Sequence, residues 1–458
     1  LVTNALSIQS TGIGGGVTYD SGGLATGVNN SGSGVGGNAA LTVDNGGALS
    51  VNGLISVASN GIGQTGNLQS GSGTAGSARI AVTGAVTTVG ALATSVSADG
   101  FGGTGITGVS TENGGAGTGG SAAISINADA TATIDLGDVA IAANGFGGGS
   151  TGIEGATGGN STGGTVDLSV DGGIDVDMNN LSLTARALSG GALSPSNISA
   201  TSGDSLGGTV TIALANGSGI INDGSTFIDV SGQTAVSDNI GSGTGGDIVI
   251  SATTGGVFST DGIVEIYAAG GNFVSSATFN AGTATGGNVD LTADGGTITA
   301  GSFFVDASAQ RPNADNGGGA VNGGTIDLLA TNNGTISATD TGGFSGFVAS
   351  ASSGAAPNNA LATGGTIQVI ADGGTIAMAN FASFSASGVS GGNMTAGASP
   401  LESGVGGTVL VRVRNSTTGT GGMTFNDIFL DATGATNSFS EGINAGDGAA
   451  GAVGGTTT

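Results

Sequence analysis

The chain has 458 residues, 100 of them glycine, and contains no cysteine, histidine or tryptophan; its only cations are five arginines, which against 31 acidic residues leave a net charge of −26. That balance excludes nucleic acid as a partner, because nucleic acid needs a basic footprint, and it removes the usual nucleophile–base pairs and Schiff-base lysines. A collagen helix is excluded by four prolines and no Gly-X-Y period, disorder by the regular apolar alternation, and membrane insertion by the lack of any run near ~18 apolar residues or of barrel-length strands with aromatic girdles.

In chain order, Leu6-Ser7-Ile8 reads as a closing strand whose opening strands are missing, so residues 1–36 are a partial first repeat. The first full unit opens at Gly36-Gly37 with Ala39, Leu41 and Val43 alternating with polar neighbours. The opening returns with second glycines at Gly76, Gly120, Gly164, Gly208, Gly246, Gly287, Gly324, Gly365, Gly407 and Gly455, which is 418 residues over ten intervals and a mean near 42. Aliphatic residues stand two, four and six places further on, as in Val166, Leu168, Val170 or Ile326, Leu328, Ala330. Period two predicts a strand with one buried face.

Corners follow at Asp171-Gly172-Gly173, Asn216-Gly217, Asn333-Gly334 and Asp372-Gly373-Gly374, residue types that accept positive φ. A short second strand comes next, as in Thr297-Ile298-Thr299-Ala300, and then a third, as in Leu181-Ser182-Leu183-Thr184-Ala185. A variable loop rich in Gly, Ser, Asn and Ala closes each unit. All four prolines (Pro195, Pro312, Pro357, Pro400) fall in such loops, where no ladder donor is needed. Asp99-Gly100-Phe101-Gly102 and Asn144-Gly145-Phe146-Gly147 predict tight turns with both rings tucked under the loop. Thirteen of the fifteen phenylalanines lie from Phe227 onward, mostly in third strands, and predict a stacked aromatic core.

A unit this small cannot bury its own apolar face, so it must stack on a copy of itself. The expected fold is all-β: a right-handed parallel β-helix of about eleven rungs, one per repeat, forming a single continuous solenoid over residues 1–458. At about 4.8 Å per rung it would be a rod of roughly 50 Å, or about twice that length if each repeat instead made two rungs. Residues 454–458 read as the start of an unfinished repeat. With neither end obviously capped, the expectation is a window of a longer array or a subunit covered by its neighbours.

No catalytic or cofactor-binding residue is expected. Asp290 and Asp327 fall in one outward column on consecutive repeats. As strand residues they are simply solvated. As functional groups they would be carboxylates of the kind used by polysaccharide-degrading β-helices, or weak candidates for calcium, since like charges one rung apart repel unless bridged.

The Gly-Gly-Thr-Val/Ile strands at Gly163 to Val170, Gly323 to Ala330 and Gly364 to Gly374, with their Asp-Gly-Gly corners and Gly/Ser/Asn-rich loops, resemble filamentous-haemagglutinin-type exoproteins of bacterial two-partner secretion. The resemblance implies an extracellular or cell-surface rod whose loops serve adhesion or assembly. The partners expected are copies of itself in a filament, neighbouring repeats of a longer chain, or a glycan or cell-surface ligand bound by a monomeric adhesin.

Overall fold

A computed structural model describes residues 1–15, 31–66, 69–105, 113–150, 155–192, 200–272, 278–354, 361–391, 404–415, 419–436 and 456–457. Every strand pairing among them is parallel, with one-residue register shifts at Ala91/Ala93, Thr278/Asn280 and Met378/Phe381, and matches equivalent residues of neighbouring repeats: Val166 pairs with Val210, Val289 with Ile326, Ile367 with Val409. Paired residues therefore lie one full repeat apart, so one repeat makes one rung and the fold is a parallel β-solenoid.

Within a rung such as Thr165–Asp171, Asp175–Met178 and Asn180–Thr184, three strands turn around one dry interior. The aliphatic columns expected from the sequence point inward. Val166, Leu168, Val210, Ile212, Ile248, Val289, Ile326 and Ile367 are all fully buried within one continuous cluster. Burial at about 25 cal/mol per Å² over so many stacked side chains is the main stabilising term. The corners take positive φ as the sequence requires, with Asn216 at 56° and Asn333 at 63°. Thr254 occupies the same corner at 51°, a costly conformation for a β-branched residue.

Two features differ from the sequence reading. The amino-terminal rung already has its second strand, Val2–Thr3, as well as the third, Leu6–Gln9; both pair with Ala48–Ala58. More consequentially, each coil has two further short strands, one on either side of the variable loop, such as Gly100–Phe101 and Gly117–Thr118. Among the described residues they stack into two thin parallel sheets of eleven and ten strands. The coil thus has a triangular apolar body and a flattened neck. At the far end, Thr456–Thr457 pairs with Thr408–Val409, and the Gly454-Gly455 before it lies outside the described residues. So do Pro195, Pro357 and Pro400, whereas Pro312 follows a neck strand.

Glycine makes the neck possible. A methyl added at Gly61 would meet the Thr74 carbonyl oxygen at 2.0 Å, and one at Gly117 would meet that of Phe146 at 2.0 Å. The two layers are in backbone contact, which no side chain permits. Just beyond the strands, hydrogen bonds zigzag between layers and climb the axis: Gly103 N–H to Gly71 O at 2.9 Å, Gly115 to Gly103 at 2.9 Å, Gly148 to Gly115 at 2.8 Å, Gly159 to Gly148 at 2.8 Å. On the body side, the second glycine of each opening donates to the residue that closes the third strand of the preceding repeat, as Gly164 does to Ala143 and Gly208 to Ala185 at 2.6 Å. The Gly-Gly signature is therefore the point where the chain crosses from neck to body. Between Ala284 and Ala362 side chains enter the neck, where Ala284, Ala309, Val321, Ala351 and Ala362 form a small second core, and backbone contact returns at Gly388, whose added methyl would meet the Val405 carbonyl oxygen at 2.0 Å.

Candidate functional site

The outer face of the third-strand sheet carries the most distinctive chemistry. Register places Ser95, Ala140, Ser182, Phe227, Glu265 and Phe304 in one outward column. The next column carries Thr184, Asp229, Tyr267 and Asp306. The phenylalanines expected to form an aromatic core therefore divide. Phe303, Phe347 and Phe384 point inward, fully buried, with centroids 6.3 and 4.9 Å apart. Phe227, Tyr267 and Phe304 point outward as a tilted ladder at 5.7 Å per step, and Phe344 and Phe381 stack beyond them, 49% and 40% exposed. The two sets alternate because neighbouring residues of a strand face opposite ways. Composition alone did not separate them, but the parity of each position relative to the aliphatic columns does.

The carboxylates among these rings have assigned duties. Asp229 Oδ1 accepts from Ser231 N–H and Asp306 Oδ1 from Ser308 N–H, both at 2.8 Å, fixing the turn after the strand in the coils on either side of Tyr267. Burial raises the Asp306 carboxyl above its ordinary value against those hydrogen bonds. Burial, then Glu265, Asp306 and Asp229, raises the Tyr267 phenol. Glu265 makes no such turn contact.

On the amino-terminal side of the ladder the same face forms a shallow, mostly apolar groove of about 400 Å³. Its floor is Ser95, Ala140 and Ser182, Leu54 closes one end and Phe227 the other. Asp138 and Asn180 line one edge, joined by a hydrogen bond from Asn180 Nδ2 to Asp138 Oδ1 at 2.9 Å.

Asp290 and Asp327 are brought together in register as expected, on the outer face of the first-strand sheet. Burial and then Asp247 raise Asp290; burial and then Asp290 raise Asp327. Oδ1 of Asp327 is buried without a hydrogen-bond partner. Calcium takes six to eight oxygens, and among the described residues no group of three or more acidic side chains is placed to hold a metal. Elsewhere the fold separates its carboxylates by stacking them on donors: Asn216 on Asp171, Asn288 on Asp247, Thr331 on Asp294, and Arg414 on Asp372 at 2.6 Å.

Phe101 and Phe146 are not tucked beneath a loop. They stack at 5.0 Å on the outside of the neck, with the Arg186 guanidinium 5.8 Å over Phe146. Beneath them a ladder of side chains holds the bend into the neck. Asn60 Oδ1 accepts from Asp99 N–H, Asp99 Oδ1 from Asn144 N–H, and Asn144 Oδ1 from Arg186 N–H, at 2.7 to 3.0 Å.

The fold and this surface define the chain as a parallel β-solenoid with an aromatic outer ladder. Comparison with protein-family models, curated proteins and solved structures gives no match.

Proposed function

We propose that this chain is a non-enzymatic structural rod or filament-forming protein of the bacterial cell surface, joined to its partners through the same in-register stacking that holds its rungs. The supporting observation is the parallel pairing that four long sheets carry from coil to coil across the described residues. A rod of this kind gains stiffness because each backbone donor and acceptor finds its partner one rung away. The acidic surface keeps laterally apposed rods soluble. The extracellular location rests on the resemblance to two-partner secretion exoproteins, and stabilisation by ladders without cysteine suits it. Electron microscopy of the purified protein tests the reading. Unbranched fibres that lengthen with protein concentration are expected, and uniform short particles at every concentration would reject assembly.

A second reading, a monomeric adhesin that binds a glycan or cell surface, is favoured by one observation: the outward rings on the third-strand sheet. It predicts saturable hits on a glycan array from particles that remain single.

A further inference from the structure

We propose that the outer face of the third-strand sheet, from the Leu54–Phe227 groove across the Phe227–Tyr267–Phe304 ladder, binds an extended, uncharged, β-linked polysaccharide lying along the solenoid axis, about one sugar ring per rung. This deepens the adhesive reading and rests on it.

Four observations support the choice of occupant. First, the surface is periodic. Outward rings follow one another at 5.7 Å on three consecutive rungs, and rungs advance by about 4.8 Å, close to the advance per sugar of an extended pyranose chain. A polymer laid along the axis meets one ring on each of these three rungs. Second, the chemistry is two-sided. Aromatic faces suit the apolar C–H faces of sugar rings, and the hydroxyls at the ring edges would find Asp138 and Asn180 along the groove and Glu265 between the ladder rings.

Third, the charge is one-signed. The third strands from Leu54 to Asp306 carry Asp138, Asp229, Glu265 and Asp306 and no arginine, so a polyuronate or nucleic acid is repelled. Fourth, the backbone is already satisfied. Strands of this sheet pair on both sides, as Asn180–Thr184 does with Asp138–Ala142 and Thr226–Asp229, so a peptide cannot join by strand addition. The floor of Ser95, Ala140 and Ser182 leaves space that a larger side chain at any of these positions would fill. The groove volume is within the range of ligand sites.

The test uses the full chain in affinity electrophoresis, with hydroxyethylcellulose and glucomannan as neutral probes and polygalacturonate as the anionic control. Retardation by at least one neutral polymer and none by polygalacturonate is expected. Tyr267→Ala or Phe304→Ala should each weaken binding roughly tenfold, Tyr267→Phe should retain it, and the Phe227→Ala, Tyr267→Ala, Phe304→Ala triple variant should abolish it. Ser182→Arg, which fills the groove floor beside Phe227 and leaves all three rings in place, provides an independent loss should the triple variant fold poorly. The proposal is overturned by any of three results: no retardation in either neutral polymer, stronger retardation by polygalacturonate, or binding that survives both the triple variant and Ser182→Arg. In the last case the adhesive reading stands and binding belongs to the loops. In the first, the structural-rod reading is untouched, because its readout is microscopy.

Discussion

A single methyl group in the neck is the sharpest test of how this coil is built. Gly117 has ordinary φ, so Gly117→Ala brings no backbone strain, but its Cβ would sit 2.0 Å from the Phe146 carbonyl oxygen, where ordinary contact begins near 3.4 Å. The layers would have to part by about 1 Å or more, since packed interiors do not yield. Overpacking of this kind costs about 1–3 kcal/mol. Parting also stretches the inter-layer bonds from Gly115 N–H to Gly103 O and from Gly148 N–H to Gly115 O, and one buried group left unpaired adds about 1–3 kcal/mol. The expected loss is therefore about 2–6 kcal/mol. Ala362→Gly, where side chains enter the neck, removes one methyl for about 0.8 kcal/mol and adds chain entropy of about 0.5–1 kcal/mol. Insertion at 117 should thus cost more than deletion at 362. Solenoids unfold rung by rung, so the assay is a circular-dichroism melt joined to amide exchange around Gly103, Gly115 and Gly148. A Gly117→Ala protein within about 0.5 kcal/mol of the parent, with unchanged exchange at those amides, would refute the contact neck.

Other substitutions separate inside from outside. Phe347→Ala, which removes a fully buried ring between Phe303 and Phe384, should cost about 3–5 kcal/mol. Phe344→Ala, outward in the same strand, should stay within about 1 kcal/mol; a denaturant titration of the two variants distinguishes them. Thr254→Asn should stabilise by about 1 kcal/mol, because asparagine tolerates the left-handed corner, as Asn216 and Asn333 already do; a lower melting temperature would contradict this. Asp99, Asp177, Asp290, Asp306 and Asp327 all have carboxyls raised above 3.8 by burial. The folded state then holds more protons than the unfolded one, so stability falls as pH rises through the folded values. Melting temperature should increase on acidification from neutral pH and level off below the unfolded carboxyl value near 3.8. Asp290→Asn with Asp327→Asn should raise stability at neutral pH and flatten that slope. Added calcium should leave the melt of the parent protein unmoved, and a marked rise lost in the double variant would instead establish a metal bridge.

The apolar body was legible because its determinants are local and repeated. Val166, Leu168 and Val170 recur with period two behind a Gly-Gly, and Asn216 and Asn333 announce their own corners. The neck was not legible for the same reason that it exists. Gly100 and Gly117 carry no side chain whose periodicity could be read, and their partnership is fixed across the coil rather than along the chain. What sequence did contain was the spacing of Gly61, Gly100 and Gly145 by whole repeats. The outward aromatic ladder was hidden by counting phenylalanines together. Phe303 and Phe304 are adjacent, yet one is core and the other surface, and only their parity against the aliphatic column tells them apart. Asp290 and Asp327 were placed together correctly because register and repeat coincide. Whether their charge is relieved by a proton or an ion depends on neighbours such as Asp247, which lies one rung further along the axis.

One rung per repeat in parallel register can be tested by crosslinking, because the chain has no native cysteine. Ser125 pairs directly with Ser169, and Ser169 with Ala213. Ser125→Cys with Ser169→Cys places two thiols on adjacent strands about 4.8 Å apart, within disulfide reach. Ser125→Cys with Ala213→Cys places them two rungs apart, beyond it. Mild oxidation should close the first pair nearly completely in the folded monomer and leave the second as free thiols. Equal closure of both pairs, or failure of the first in a protein that melts like its parent, would rule out one rung per repeat.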